Sequence, residues 1–191
     1  MRWVRCIAWI AVVAAGANAV PAGEHHASLV PWKVLDRGEV VEAPLVLFWI
    51  PSSGEELRRS PLLASDELTR FSSRCVAMRV VRNDDGARLA RLQVDGDLPM
   101  AVLADGQGQV LDVVDGERGK LNVGEVEDLV REELDLRTSN AEALLDHARH
   151  RLQDGDVEAA LELYREVFEA RCVCPRQGKV AQRALKRLER R

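Results

Sequence analysis

One run of apolar residues constrains the fold of this chain more than any other feature of its sequence. Residues 44–50 read PLVLFWI. Such a run, apolar on both faces and rich in strand-forming residues, is typical of a β-strand covered on both sides of a sheet. It stops at Pro51, and the segment 55–59 predicts the start of a helix. The chain is therefore expected to contain a central sheet with helices packed on it.

The rest of the N-terminal part continues this alternation of strands and helices. Asp105-Gly106-Gln107-Gly108 is a turn sequence, so the strands on either side of it are expected to be antiparallel. These elements predict an α/β fold with a mixed sheet flanked by helices. The predicted elements are a short helix within 29–42, helices from Ser65 to Phe71, over 87–92 and over 125–134, and strands over 75–81, 100–104 and 109–114.

This order resembles the thioredoxin fold over residues 33–134. It is more similar to secreted thioredoxin-like domains that begin with a tryptophan-containing helix than to thioredoxin itself. The segments that carry the resemblance are Trp32, APLVLFW (43–49), SDELTRFSSRCVAMRV (65–80), DLPMAVLADGQGQVLDVVDG (97–116) and VEDLVREEL (126–134). Leu98-Pro99 falls where that family carries a cis-proline. The resemblance implies a peptide-binding groove beside this proline.

The chain departs from that family at the redox motif. Aligned on Phe48, the two positions of the Cys-x-x-Cys pair are Ser53 and Glu56. Disulfide exchange needs a reactive thiolate and a second, resolving thiol, and neither is present there. Ser53 and Glu56 instead form the S-x-x-E pattern of a helix capping box. The sequence therefore favours a protein that is not an enzyme at this site.

The pattern changes after Leu136. Residues 141–170 predict two helices joined at Gly155-Asp156, and residues 179–188 predict a third. This part resembles a single tetratricopeptide repeat, from which it departs at His147 and Arg151. The resemblance rests on Ala148, Gly155, Ala160, Tyr164 and Pro175. The predicted organisation is a thioredoxin-like domain over 29–136 and a small all-α, tetratricopeptide-like segment over 139–191.

The N-terminus has the features of a secretory signal peptide. Two arginines precede an apolar stretch of about a dozen residues, and Ala17-Asn18-Ala19 is a cleavage signal. Residues 1–19 are therefore expected to be removed, and the protein to be periplasmic or secreted. The chain has a net charge of −4, and loss of Arg2 and Arg5 makes it more negative. This balance argues against nucleic acid as a partner, and no membrane contact is expected after cleavage.

Cleavage leaves three cysteines, Cys75, Cys172 and Cys174, in a compartment that favours disulfides. Cys172 and Cys174 could close a strained, easily reduced ring with redox activity. Alternatively, Cys75 pairs with one of them and links the two parts, or the thiols bind a partner chain. His147 and His150 are read as part of a solvated helix face, so no metal or other cofactor is expected.

These observations predict an extracytoplasmic, redox-inactive thioredoxin-like protein that binds a protein or peptide client as a chaperone-like or scaffold module. The expected contact residues are Ser52, Ser53, Glu56, Leu98 and Pro99. The alternative is a thiol–disulfide oxidoreductase or isomerase that uses Cys172 and Cys174. A third reading is a structural protein that forms homo-oligomers. The last sixteen residues, with seven basic residues and one acidic, are read as a solvated helix face or the contact for an acidic partner.

Overall fold

The computed structural model describes residues 29–190, so the predicted signal peptide and its cleavage site lie outside the described residues. The strands are β1 (Lys33–Val34), β2 (Leu45–Ile50), β3 (Val76–Val80), β4 (Met100–Asp105) and β5 (Val110–Asp115). The helices are α1 (Gly54–Arg59), α2 (Asp66–Ser72), α3 (Gly86–Arg91), α4 (Val123–Gln153), α5 (Val157–Glu169) and α6 (Pro175–Leu188). Two short 3₁₀ turns, Pro61–Ala64 and Ala170–Cys172, lie between helices.

The five strands form one mixed sheet in the order β1-β3-β2-β4-β5. The strands β1, β3 and β2 are parallel, whereas β4 is antiparallel to both β2 and β5. All six residues of β2 are buried. Alternate side chains of β2 enter two separate cores, Leu45, Leu47 and Trp49 on one face and Val46, Phe48 and Ile50 on the other. The expected α/β fold with a mixed sheet, followed by an all-α segment, is confirmed.

The short helix expected within residues 29–42 is wrong, because the chain there forms the edge strand β1. The Leu35 N–H donates to the Val80 carbonyl at 3.0 Å, which extends the pairing with β3. The Trp32 indole Nε1 donates to the Leu62 carbonyl at 2.9 Å, and its ring lies edge-on to Trp49 at 5.4 Å. These contacts with distant residues hold residues 32–35 against β3 and the core, and a local sequence pattern does not contain them.

Helix α4 runs through the expected boundary between the two parts. It is continuous over 31 residues, so residues 137–138 are helical and no linker separates the sheet from the helices that follow. The Thr138 hydroxyl donates to the Leu134 carbonyl at 2.8 Å, a bond that accommodates a polar residue inside a helix. One buried stripe runs along α4 and belongs to a single core: Val126, Leu129, Val130, Leu134, Ala141, Leu145 and Ala148.

The C-terminal helices form a compact antiparallel array on the second half of α4. Gly155 has a φ of 83°, the left-handed conformation that glycine adopts readily, and it turns the chain from α4 into α5. Helix α6 begins at Pro175, four residues before its predicted start, because proline is well suited to the first turn of a helix. Within residues 29–190, no helix is long and apolar enough to cross a membrane.

Candidate functional site

The sheet topology brings the predicted contact residues to one end of the sheet. Ile50, the last residue of β2, pairs with Met100, the first residue of β4. The loop that follows β2 therefore lies beside Leu98-Pro99, the segment that enters β4. The Leu98-Pro99 peptide bond is cis, as its position in the sequence suggested.

Glu56 is the centre of the polar contacts in this region. Its Oε2 accepts from the Ser52 N–H at 2.7 Å and from the Ser52 hydroxyl at 2.8 Å. Its Oε1 accepts from the indole Nε1 of Trp49 at 3.3 Å, and Trp49 is fully buried. Without Glu56 the buried indole N–H would lose its partner, which is costly in a dry environment. Glu56 therefore joins the loop after β2 to the core beneath it.

Ser53 caps α1, as the sequence predicts. Its hydroxyl accepts from the Glu56 N–H at 3.2 Å. In the standard capping box the acidic residue returns to the N–H of the cap residue itself. Here the Glu56 carboxylate instead accepts from the N–H of Ser52, the residue before the cap. The side chains of Ser53 and Glu56 are thus both engaged in holding the start of α1.

The Leu98-Pro99 segment contributes backbone groups rather than side-chain chemistry. The Pro99 carbonyl accepts from the Gly116 N–H at 2.8 Å. A Cβ on residue 116 would lie 2.6 Å from that oxygen, so only glycine allows this close approach. Among the described residues, the N–H and C=O of Leu98 have no hydrogen-bond partner. Leu98 is half-buried and can present this backbone to an extended segment.

A cavity of about 290 Å³ opens on the other side of the β2 loop. The Asn83 side-chain amide donates to the Ser52 carbonyl at 3.1 Å and ties this rim to the loop. Arg82 pairs with Asp84 through two bonds, which raises the pKa of the guanidinium and lowers the pKa of the carboxyl. The cavity is lined by Val34, Pro51, Ser53, Gly54, Leu57, Val80, Arg82 and Asn83.

The cysteines lie at the opposite end of the sheet. Cys75 directly precedes β3, whose first residue pairs with Leu45 at the start of β2. Cys75 forms a disulfide with Cys172, with a Cα–Cα distance of 5.8 Å. One of the alternatives that the sequence left open, a disulfide that links the sheet to the helices, is therefore present. Arg74 strengthens the same junction by donating twice to the Val173 carbonyl, at 2.9 and 3.2 Å.

Cys174 is a buried free thiol and precedes α6. The two cysteines of the oxidoreductase hypothesis thus differ in state, since Cys172 is exposed and disulfide-bonded to Cys75. His147 and His150 lie exposed on α4. Among residues 29–190, no three histidine, cysteine or acidic side chains are grouped closely enough to hold a metal ion.

Sequence reasoning identified Ser52, Ser53, Glu56, Leu98 and Pro99, and the fold brings the two loops that carry them to one end of the sheet. It missed Asn83 and Gly116, which support these loops. No local signal in the sequence marks the bond from Asn83 to Ser52. No protein family model matches this chain, and no curated protein is significantly similar to it.

Proposed function

We propose that this chain is an extracytoplasmic thioredoxin-like protein, without a redox pair at α1, that binds protein or peptide clients. The C-terminal helices would be a tetratricopeptide-like appendage. The strand order, the strand directions and the position of Leu98-Pro99 directly before β4 support the thioredoxin-like assignment. The export part of the proposal rests on the sequence of residues 1–19.

One observation carries the binding function. Next to a loop whose polar side chains are all engaged in structural bonds, the Leu98 N–H and C=O have no partner among the described residues. A pair of free backbone groups at the end of a sheet is the arrangement that an extended peptide recognises by adding main-chain hydrogen bonds. The site therefore offers backbone recognition, with no nucleophile or general base required.

The experiment that tests the proposal measures where extended peptides bind and through which atoms. Titration of peptides into isotope-labelled protein should shift the amide signals of residues 97–99 and of the loop over 51–56. A peptide with the same side chains but an N-methylated backbone at the pairing residue should bind much more weakly. Binding that ignores N-methylation, or shifts confined to other regions, would contradict the proposal.

A second candidate is thiol–disulfide exchange at the C-terminal cysteines. It is favoured by one observation, a free thiol at Cys174 two residues from the exposed, disulfide-bonded Cys172. Reduction of insulin by an added dithiol and refolding of scrambled ribonuclease should both be accelerated, and the Cys172→Ser/Cys174→Ser double variant should be inactive. Equal rates with and without the protein would exclude this candidate.

A further inference from the structure

The outer face of α6 is uniformly basic. The buried side of α6 is formed by Gln177, Gly178 and Ala181. At about 100° per residue, five cationic side chains fall within a sector of roughly 100° directly opposite that side. Among the described residues none of the five takes part in an ion pair. This basic face consists of Arg176, Lys179, Arg183, Lys186 and Arg187.

The outer face of α5 is predominantly acidic. Its buried side is formed by Ala160, Tyr164 and Val167, and four exposed glutamates lie opposite within a sector of roughly 80°. Arg165 is the one cation among them. No ion pair engages these glutamates in the described residues. The acidic face consists of Glu158, Glu162, Glu166 and Glu169.

Helix α4 shows how this chain compensates exposed charge elsewhere. Along α4, carboxylates and arginines three or four residues apart form pairs within the same helix, as Glu133 and Arg137 do at 2.6 Å. The acidic and basic faces lack this compensation. They place like charges four residues apart, such as Glu158 and Glu162, an arrangement that destabilises an isolated helix. A partner of opposite charge would relieve this repulsion on either helix.

The two faces match each other in sign and length but do not meet within one chain. Glu158 to Glu169 and Arg176 to Arg187 each span eleven residue steps, which is about 16 Å of helix. Although α5 and α6 pack against each other, both charged faces point away from the buried sides, and no ion pair joins the two helices in the described residues. An ion pair to either face would therefore have to come from another molecule.

We propose that the partner is a second copy of this chain, with the acidic face of one copy against the basic face of the other. In the proposed dimer a two-fold axis pairs the faces reciprocally, so that the contact forms twice. Among candidate partners, a second copy is the one whose complementary face is present in this protein. The surface is separate from the loops of the proposed client site. Evidence against the dimer would therefore not count against the proposed client binding.

The first test is the oligomeric state of the chain without residues 1–19, measured by sedimentation at several concentrations. Exposed charge pairs are weak and are screened by salt. We expect a dimer in about 0.05 M salt that dissociates in about 0.5 M salt. The Cys174→Ala substitution is included throughout, so that an intermolecular disulfide cannot imitate the contact.

Charge reversal identifies the faces. The α5 variant Glu162→Lys/Glu166→Lys and the α6 variant Lys179→Glu/Arg183→Glu should each weaken the dimer on the order of a hundredfold, because each alters four contacts in the symmetric pair. An equimolar mixture of the two variants should form a heterodimer, since both contacts in it again join opposite charges. Circular dichroism checks that each variant is folded.

Three results would overturn the proposal. The first is a protein that stays monomeric at low salt and high concentration. The second is a dimer that survives in about 0.5 M salt or in both reversal variants. The third is a mixture of the two folded variants that remains monomeric. An acidic peptide or an anionic vesicle that binds the basic face of a monomeric protein would assign this face to that partner instead.

Discussion

The sheet region (residues 29–122) and the helical region (residues 139–190) are stabilised in different ways. In the sheet region the central strand β2 is buried on both faces and pairs with strands that are distant in sequence. In the helical region α5 and α6 each bury one face against neighbouring helices and expose the other. The sheet region therefore positions the loops of the candidate site, whereas the helical region presents charged surface.

The two regions nevertheless share one core. The first half of α4 packs on the sheet and the second half packs on α5 and α6, and its buried stripe is unbroken. The Cys75–Cys172 disulfide adds a covalent link between the regions. The two regions are thus built differently but share one core. The predictions below test whether they also unfold as one cooperative unit.

The largest loss of stability is expected from Trp49→Ala. Trp49 is fully buried in the core that both regions share, and truncation of a buried tryptophan costs about 3–5 kcal/mol. If the regions form one unit, calorimetry should show a single transition that moves to lower temperature. Two separate transitions, with the later one unmoved, would contradict the shared core. Trp49→Phe is the control that keeps most of the apolar volume but loses the bond to Glu56.

Thr138→Pro tests the continuity of α4 between the regions. Proline inside a helix removes a hydrogen bond and clashes with the preceding turn, at a cost of about 3 kcal/mol or more. The variant should therefore be less stable in urea and should unfold in two steps. The Thr138→Ala control loses only the bond to Leu134 and should remain close to the wild type. Equal stability of the proline variant would indicate a linker in place of a helix.

Removal of the disulfide tests the covalent link. Cys75→Ser/Cys172→Ser opens a loop closed over a sequence separation of 97 residues, and we expect a loss of about 2–4 kcal/mol. Urea unfolding measures this loss, and hydrogen exchange should rise mainly near the junction. Cys174→Ala is the matched control, because it removes a cysteine of the same segment and leaves the disulfide in place. An equal loss in the control would assign the effect to packing.

Glu56→Ala tests the contact between the site loop and the core. It removes the acceptor for Ser52 and for the buried Trp49 indole, so a loss of about 1–3 kcal/mol is expected. Glu55→Ala is the control, since its ion pair with Arg59 is exposed and contributes little. Urea unfolding of both variants gives the comparison. Similar stability of the two would show that Glu56 has no structural role at this loop.

The smallest change in stability is expected from Asp84→Asn, and it depends on pH. The hydrogen bond from Arg82, together with the charges of Arg82 and Arg37, lowers the pKa of Asp84 in the folded protein. A carboxyl group with a lowered pKa stabilises the fold above its ordinary value, about pH 4, and this contribution is lost as the pH falls through the folded value. Asp84→Asn should therefore be slightly less stable than the wild type at neutral pH and equally stable at low pH. Urea unfolding at the two pH values checks this, and a difference that grows on acidification would contradict it.

Much of the fold follows from patterns that depend on near neighbours. The apolar run of β2 and the cap residues Ser53 and Ser65 act within a few residues, so their elements were predictable. The candidate site was predictable in part for the same reason. Its polar residues were identified, but the supporting contacts from Asn83 and Gly116 join residues that are far apart in sequence.

The sequence by itself determined the positions of most strands and helices and the absence of cysteine at residues 53 and 56, because side-chain identity and local hydrogen bonding act through near neighbours. Only the tertiary structure decided that β1 is a strand, that α4 is continuous, and that Cys75 pairs with Cys172. Each of these depends on where the chain places residues that are distant in sequence. The stabilising contacts form only after the sheet and the helices have packed against each other.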